Sequence, residues 1–116
     1  MRIVVGNTEE IPSGERKIID VSGRSIGVFN VDGHYYAVRD LCPHHGAPLC
    51  RGRVVGTVLA SEPTEYVYDS QRKVLRCPWH GFEFDLETGL SPCDPRNLRV
   101  KVYKVTIQDD EIVIDV

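Results

Sequence analysis

The chain has 116 residues, 14 Lys and Arg against 17 Asp and Glu, and a formal net charge of −3, which suits one compact domain. That acidic balance excludes a binder held mainly by nucleic-acid phosphates, which needs a basic surplus. No apolar run approaches the roughly 20 residues that span a bilayer, and Met1 to Asn7 holds too short an apolar stretch for a signal peptide; the expectation is a soluble cytoplasmic protein.

In chain order, Ile18-Ile19-Asp20-Val21 and Ser25 to Val31 are short and rich in β-branched residues, with Ser22-Gly23-Arg24 between them as a hairpin-like break. Asp32-Gly33 then separates Val31 from His34-Tyr35-Tyr36-Ala37-Val38, a strong hairpin signal. Near the other end, Leu98 to Ile107 alternates apolar and polar residues over most of its length, so its even and odd positions face opposite sides of a sheet. Gln108-Asp109-Asp110 turns the chain into Ile112 to Val116. No window carries helical periodicity, and there is no repeat or low-complexity linker. Short strands with turn signals predict an all-β sandwich or barrel-like fold.

The middle, from Leu41 to about Pro95, departs from that alternation. It holds all four cysteines and three of the four histidines. Gly and Pro are concentrated there, which suggests loops of fixed shape on a rigid scaffold, where function tends to sit. Val54 to Leu59 and Glu65 to Asp69 lie within it, and their recurring apolar residues predict additional or lengthened strands.

Two segments carry chemistry: Cys42-Pro43-His44-His45-Gly46-Ala47-Pro48-Leu49 and Cys77-Pro78-Trp79-His80-Gly81-Phe82. Each sets a thiol and an imidazole two or three residues apart, followed by a glycine. Two such loops face to face make a site of two sulfurs and two nitrogens. A structural zinc ion is one reading of that donor set. Cysteines in a cytoplasmic chain point to metal or catalysis more than to disulfides.

Taken together, the two segments resemble the Rieske iron–sulfur family, whose paired loops bind a 2Fe–2S cluster. The resemblance implies a Rieske-type antiparallel β-sandwich with a small cluster-binding subdomain carrying the two Cys/His loops. It implies a single domain over 1–116, with a base of about 1–38 and 96–116 and a cluster-binding part of about 39–95. Cys42 and Cys77 would ligate the inner iron, and His44 and His80 the outer one; the family spacing prefers His44 to its neighbour His45. Two ferric ions, two sulfides and two thiolates sum to zero charge when the other ligands are neutral imidazoles. An electron is added to that core more easily than to an all-cysteine one.

The function implied is one-electron transfer by a stand-alone Rieske-type ferredoxin, between a reductase and a terminal oxygenase. A small Rieske subunit of a larger oxidoreductase complex is the alternative. A Rieske oxygenase would also need a mononuclear iron held by two His and a carboxylate. Only His34 and His45 remain for it, so the chain is not that enzyme by itself. Members that keep the fold without the cluster are disfavoured, because all four ligand positions are intact. The expected state is a monomer.

Three departures matter. Respiratory members carry an extra cysteine in each loop, and these bridge; this chain has Ala47 and Trp79 there, so that bridge cannot form and Cys50 and Cys93 are expected to be free thiols, with a Cys50–Cys93 bridge as the alternative. Those members also place a Ser directly after the second loop's Gly and a Tyr two residues beyond, whose hydroxyls donate to the cluster sulfurs. Phe82 and Phe84 stand at those positions here. Finally, 32 residues separate His44 from Cys77, more than in the small ferredoxins of that family, and the excess is expected to be a plain hairpin, with a partner-specific arm beside the cluster as the alternative.

Overall fold

The computed structural model describes residues 1–42, 48–62, 65–78, 83–91 and 99–116, with the backbone alone for 55–62 and 65–72. Nine strands are described: β1 (Arg2–Asn7), β2 (Arg16–Val21), β3 (Arg24–Val31), β4 (His34–Arg39), β5 (Arg53–Glu62), β6 (Glu65–Arg76), β7 (Glu83–Asp85), β8 (Val102–Gln108) and β9 (Glu111–Asp115). Six form one antiparallel sheet in the order β1-β9-β8-β4-β3-β2, and three form a second in the order β5-β6-β7. No α-helix occurs among the described residues. The all-β antiparallel fold expected from the sequence is present.

Three tight turns build the larger sheet. Ser22-Gly23 joins β2 to β3, Asp32-Gly33 joins β3 to β4, and Asp109-Asp110 joins β8 to β9. Both central residues of every turn have positive φ: 52° and 83°, 53° and 88°, 50° and 63°. This mirror-image turn matches the right-handed twist of the flanking strands, which is why glycine or a short polar residue fills it. Asn30 completes the second hairpin. Its amide Nδ2 donates to the Ile11 carbonyl at 2.9 Å, and its Oδ1 accepts the Gly33 N–H at 2.8 Å. Lys17 on β2 donates to the Val5 carbonyl of β1 at 3.1 Å, so the two edges of the sheet curl toward each other.

Alternation along β3 and β4 divides the interior in two. Ile26, Val28 and Ala37 join Val5, Ile11, Val21, Tyr103, Ile112 and Ile114 in the core of the larger sheet. Phe29 and Val38, one residue out of phase, join Leu49, Leu75, Phe84, Leu86, Val100 and three cysteines in a second core between the sheets. The hairpin is thus buried on both faces, and its side-chain period of two distributes residues between two interiors.

The structure departs from the sequence-based expectation at several edges. β1 and β7 have no alternating signature of their own; each forms because a neighbour, β9 or the Val74–Arg76 stretch of β6, offers an unpaired edge. β8 begins at Val102, four residues after the alternation starts. Arg99 is instead bridged to Leu90, and the Val100 N–H donates to the Gly89 carbonyl at 2.8 Å. The expected strands at 54–59 and 65–69 are parts of one long hairpin, paired from Arg53↔Arg76 out to Glu62↔Glu65 with irregular register between Gly56 and Thr57.

The Asp109-Asp110 turn is the least favourable of the three, because glycine populates positive φ without steric cost. Asp110→Gly is expected to raise stability by about 0.5–1 kcal/mol, seen as a thermal midpoint a few degrees higher by calorimetry. The same substitution at a residue with ordinary φ would lower it.

Candidate metal centre

Cys42 follows β4 after Asp40 and Leu41, and Cys77 follows directly on β6. Strands from different hairpins therefore deliver the two thiols. Each is 1% exposed, and both belong to the second core. Cys77 is a free thiol. Their flanks face outward: Leu41 is 44% exposed and Pro78 is exposed. Buried thiols beneath an exposed rim are shielded from oxidants while remaining close to the surface.

Phe84 on β7 and Leu75 on β6 pack in that same core. Phe84 offers no hydroxyl to a sulfur. After it, Asp85 closes a tight turn: its Oδ1 accepts the N–H groups of Glu87 at 2.8 Å and Thr88 at 3.0 Å. The Gly89 N–H donates to the Asp85 carbonyl at 2.7 Å. Gly89 has φ 80°, and a Cβ there would overlap the Val100 carbonyl. Leu90 and Arg99 are bridged beside this turn. Beside it, burial raises the Tyr36 phenol above its ordinary value, and the negative charges of Glu87 and Asp85 add to the effect.

Of the sequence-predicted ligands, the structure brings Cys42 and Cys77 into one core. His44 and His80 lie outside the described residues, as do His45, Trp79, Phe82 and Cys93. Two buried cysteines brought into one core from two hairpins fit the sulfur half of a Cys2His2 iron–sulfur site, because thiolate is the donor that iron–sulfur clusters take.

Cys50 was expected to be a free thiol, and it is one. It sits fully buried in the 3-10 turn Leu49–Arg51 and directs its Sγ to the Val38 carbonyl at 3.4 Å. A Cβ on Gly27 would overlap that sulfur, so the turn packs directly on the β3 backbone. Burial and then the Asp40 carboxylate push the Cys50 thiol up to about 12. A thiol held protonated is a poor metal ligand. Sequence reasoning missed the roles of Arg16 and Asp40, which grip this turn and are separated from it by 34 and 10 positions.

Comparison with known proteins agrees with this geometry. The family model for the Rieske [2Fe-2S] domain matches residues 1–104, and the chain belongs to that family. It is 29% identical over 106 residues to the ferredoxin component of a naphthalene 1,2-dioxygenase system from Pseudomonas aeruginosa, covering 91% of this chain and 86% of that one. It is 32% identical over 114 residues to the 3-phenylpropionate/cinnamic acid dioxygenase ferredoxin subunit of Escherichia coli, covering 98% and 92%. The solved ferredoxin of carbazole 1,9a-dioxygenase from Nocardioides aromaticivorans superposes with a TM-score of 0.74 at 25% identity, covering 98% and 96%. The cofactor of this domain is a Rieske-type 2Fe–2S cluster.

The raised Cys50 value has a pH consequence. The unfolded thiol ionises near 9.0 and the folded one near 12, so between those values the folded state holds the extra proton. Stability therefore falls as pH rises through that window. Scanning calorimetry of the holoprotein should show this alkaline decline, shallower in Cys50→Ala. Cys50→Ala should also keep its iron, and its removed sulfur should lower stability by about 1 kcal/mol. Loss of the iron would make Cys50 part of the metal site.

Proposed function

We propose that the chain carries single electrons from a reductase to the terminal oxygenase of a dioxygenase system. The observation that carries this reading is the pair of buried thiols, Cys42 and Cys77, set under an exposed apolar rim in a fold aligned along nearly its whole length with ferredoxin components. Cys42 and Cys77 would supply the thiolates and His44 and His80 the imidazoles. Once bound, the cluster supplies a one-electron couple. The protein's own residues do the rest: Phe84, Leu75 and Leu49 exclude water from the sulfurs, and Leu41 and Pro78 offer the surface a partner can approach. An apolar rim around a redox site suits brief docking with a protein partner.

In this reading the chain is a single domain, with a base of about 1–38 and 96–116 and a cluster-binding part of about 39–95. It acts in the cytoplasm as a monomer and is not an enzyme by itself. Among the described residues, no helix is long and apolar enough to cross a membrane.

Three measurements test it. The purified protein should be red-brown, with a paramagnetic signal on reduction; a colourless, zinc-bearing protein would overturn the reading. Cys42→Ala, Cys77→Ala and His80→Ala should lose the cluster while His45→Ala keeps it, as read by iron content. If His45→Ala loses iron and His44→Ala keeps it, the outer ligand is His45. By redox titration at neutral pH the midpoint should lie in the lower part of the Rieske range of about −150 to +300 mV. Hydrogen bonds to sulfur stabilise the reduced, more negative form, and Phe84 cannot make one. Phe84→Tyr should therefore move the midpoint upward.

A further inference from the structure

We propose that Arg16 and Asp40 are positioning residues of the metal centre: Arg16 from β2 and Asp40 from the end of β4 grip the 3-10 turn Leu49–Arg51, and through it they set the spacing of Cys42 and Cys77. This rests on Cys42 and Cys77 being the cluster's thiolate ligands.

Arg16 opens β2 opposite Phe29 of β3. Its guanidinium carbon stands 4.8 Å from the centre of the Phe29 ring, so the cation sits over an aromatic face at the wall of the second core. From there Nη1 donates to the Cys50 carbonyl at 2.8 Å and to the Gly52 carbonyl. Asp40 works on the opposite polarity. Its Oδ1 accepts the Cys50 N–H at 2.7 Å, and its Oδ2 accepts from the Ser25 hydroxyl at 3.1 Å. The Asp40 N–H in turn donates to the Ser25 carbonyl at 2.8 Å. A short turn leaves peptide N–H and C=O groups without partners of its own. Here a cation takes carbonyls and an anion takes an N–H, both charge-assisted bonds of the stronger kind.

What the turn touches gives the grip its consequence. Asp40 lies two residues before Cys42. At the other end, Gly52 packs so closely on β6 that a Cβ would overlap the Arg76 carbonyl, and Arg76 immediately precedes Cys77. Leu49 and Cys50, both fully buried, fill the space between these two stretches. The turn is a spacer with one thiol-bearing strand end on either side, and two charges of opposite sign, Arg16 and Asp40, hold it. Lysine cannot replace Arg16 fully, because a point charge has no flat face to stack on Phe29.

The test uses the holoprotein in five forms: wild type, Arg16→Gln, Arg16→Lys, Asp40→Asn and Lys17→Gln. Lys17→Gln is the control, since Lys17 holds Val5 at the far edge of the base. Cluster bleaching by an iron chelator, the reduced-state paramagnetic signature and the melting temperature are read on each. In Arg16→Gln, bleaching should be about 10- to 100-fold faster, the usual loss for a residue supporting a metal ligand, and the signature should change. Arg16→Lys should fall between Arg16→Gln and wild type. Asp40→Asn loses the charge but keeps one acceptor oxygen, so its bleaching and signature should fall between wild type and Arg16→Gln, whereas Lys17→Gln should lower the melting temperature with signature and bleaching unchanged. If Arg16→Gln, or Arg16→Lys where the former does not fold, melts lower with wild-type signature and bleaching, the proposal is overturned. Cys42→Ala run alongside separates the two readings: a variant that keeps the cluster overturns the ligand assignment, and this proposal with it.

Discussion

Burial of the β3–β4 hairpin on both faces is the constraint from which the rest of the molecule follows. A sheet with one wet face would need only one apolar set per strand. Here Ile26, Val28 and Ala37 face the interior of the larger sheet, while Phe29 and Val38 face the second core. A one-residue slip in register would exchange these sets and empty both interiors at once. The Asp32-Gly33 turn and the Asn30 side chain, with its bonds to Ile11 and Gly33, hold the hairpin against such a slip.

The metal centre grows out of this hairpin's second face. β4 runs on into Asp40 and Cys42, so the position of one thiol is an extension of a strand already fixed by two cores. The other thiol arrives from β6, in a different sheet. Nothing in the local sequence of either cysteine determines how far apart they stand. That distance depends on what fills the gap, and the filling is the turn at Leu49–Arg51, seated against Gly27 and Gly52. Glycine at these two positions is a packing requirement, since a Cβ at either would overlap its neighbour.

Cys50 shares an apolar core with Cys42 and Cys77, yet it is held protonated by burial and by the neighbouring Asp40 charge. The same fold thus keeps a structural thiol close to the site without adding a competing ligand. Cys42 and Cys77 are flanked by the exposed Leu41 and Pro78.

Local chemistry made much of this readable from the chain alone. Asp32-Gly33 and Ser22-Gly23 announce their hairpins because positive φ at two successive positions is tolerated by few residue types. The two Cys/His loops announce a metal site because their donors are closely spaced, and Cys42 and Cys77 do meet in one core. Asp109-Asp110, without glycine, gave only a turn and no indication of its type. β1 and β7 were silent, since a short strand forms when a neighbour presents an open edge, and no sequence pattern within it records that. The grip of Arg16 on Cys50 and Gly52 was equally invisible: it spans 34 and 36 positions and joins a side chain to backbone carbonyls, which carry no residue identity. The sequence alone determined which groups can bind iron and where the chain turns. Only the tertiary structure decided which strand edges pair and what holds the two thiols at their separation, because those depend on contacts between segments whose composition says nothing of one another.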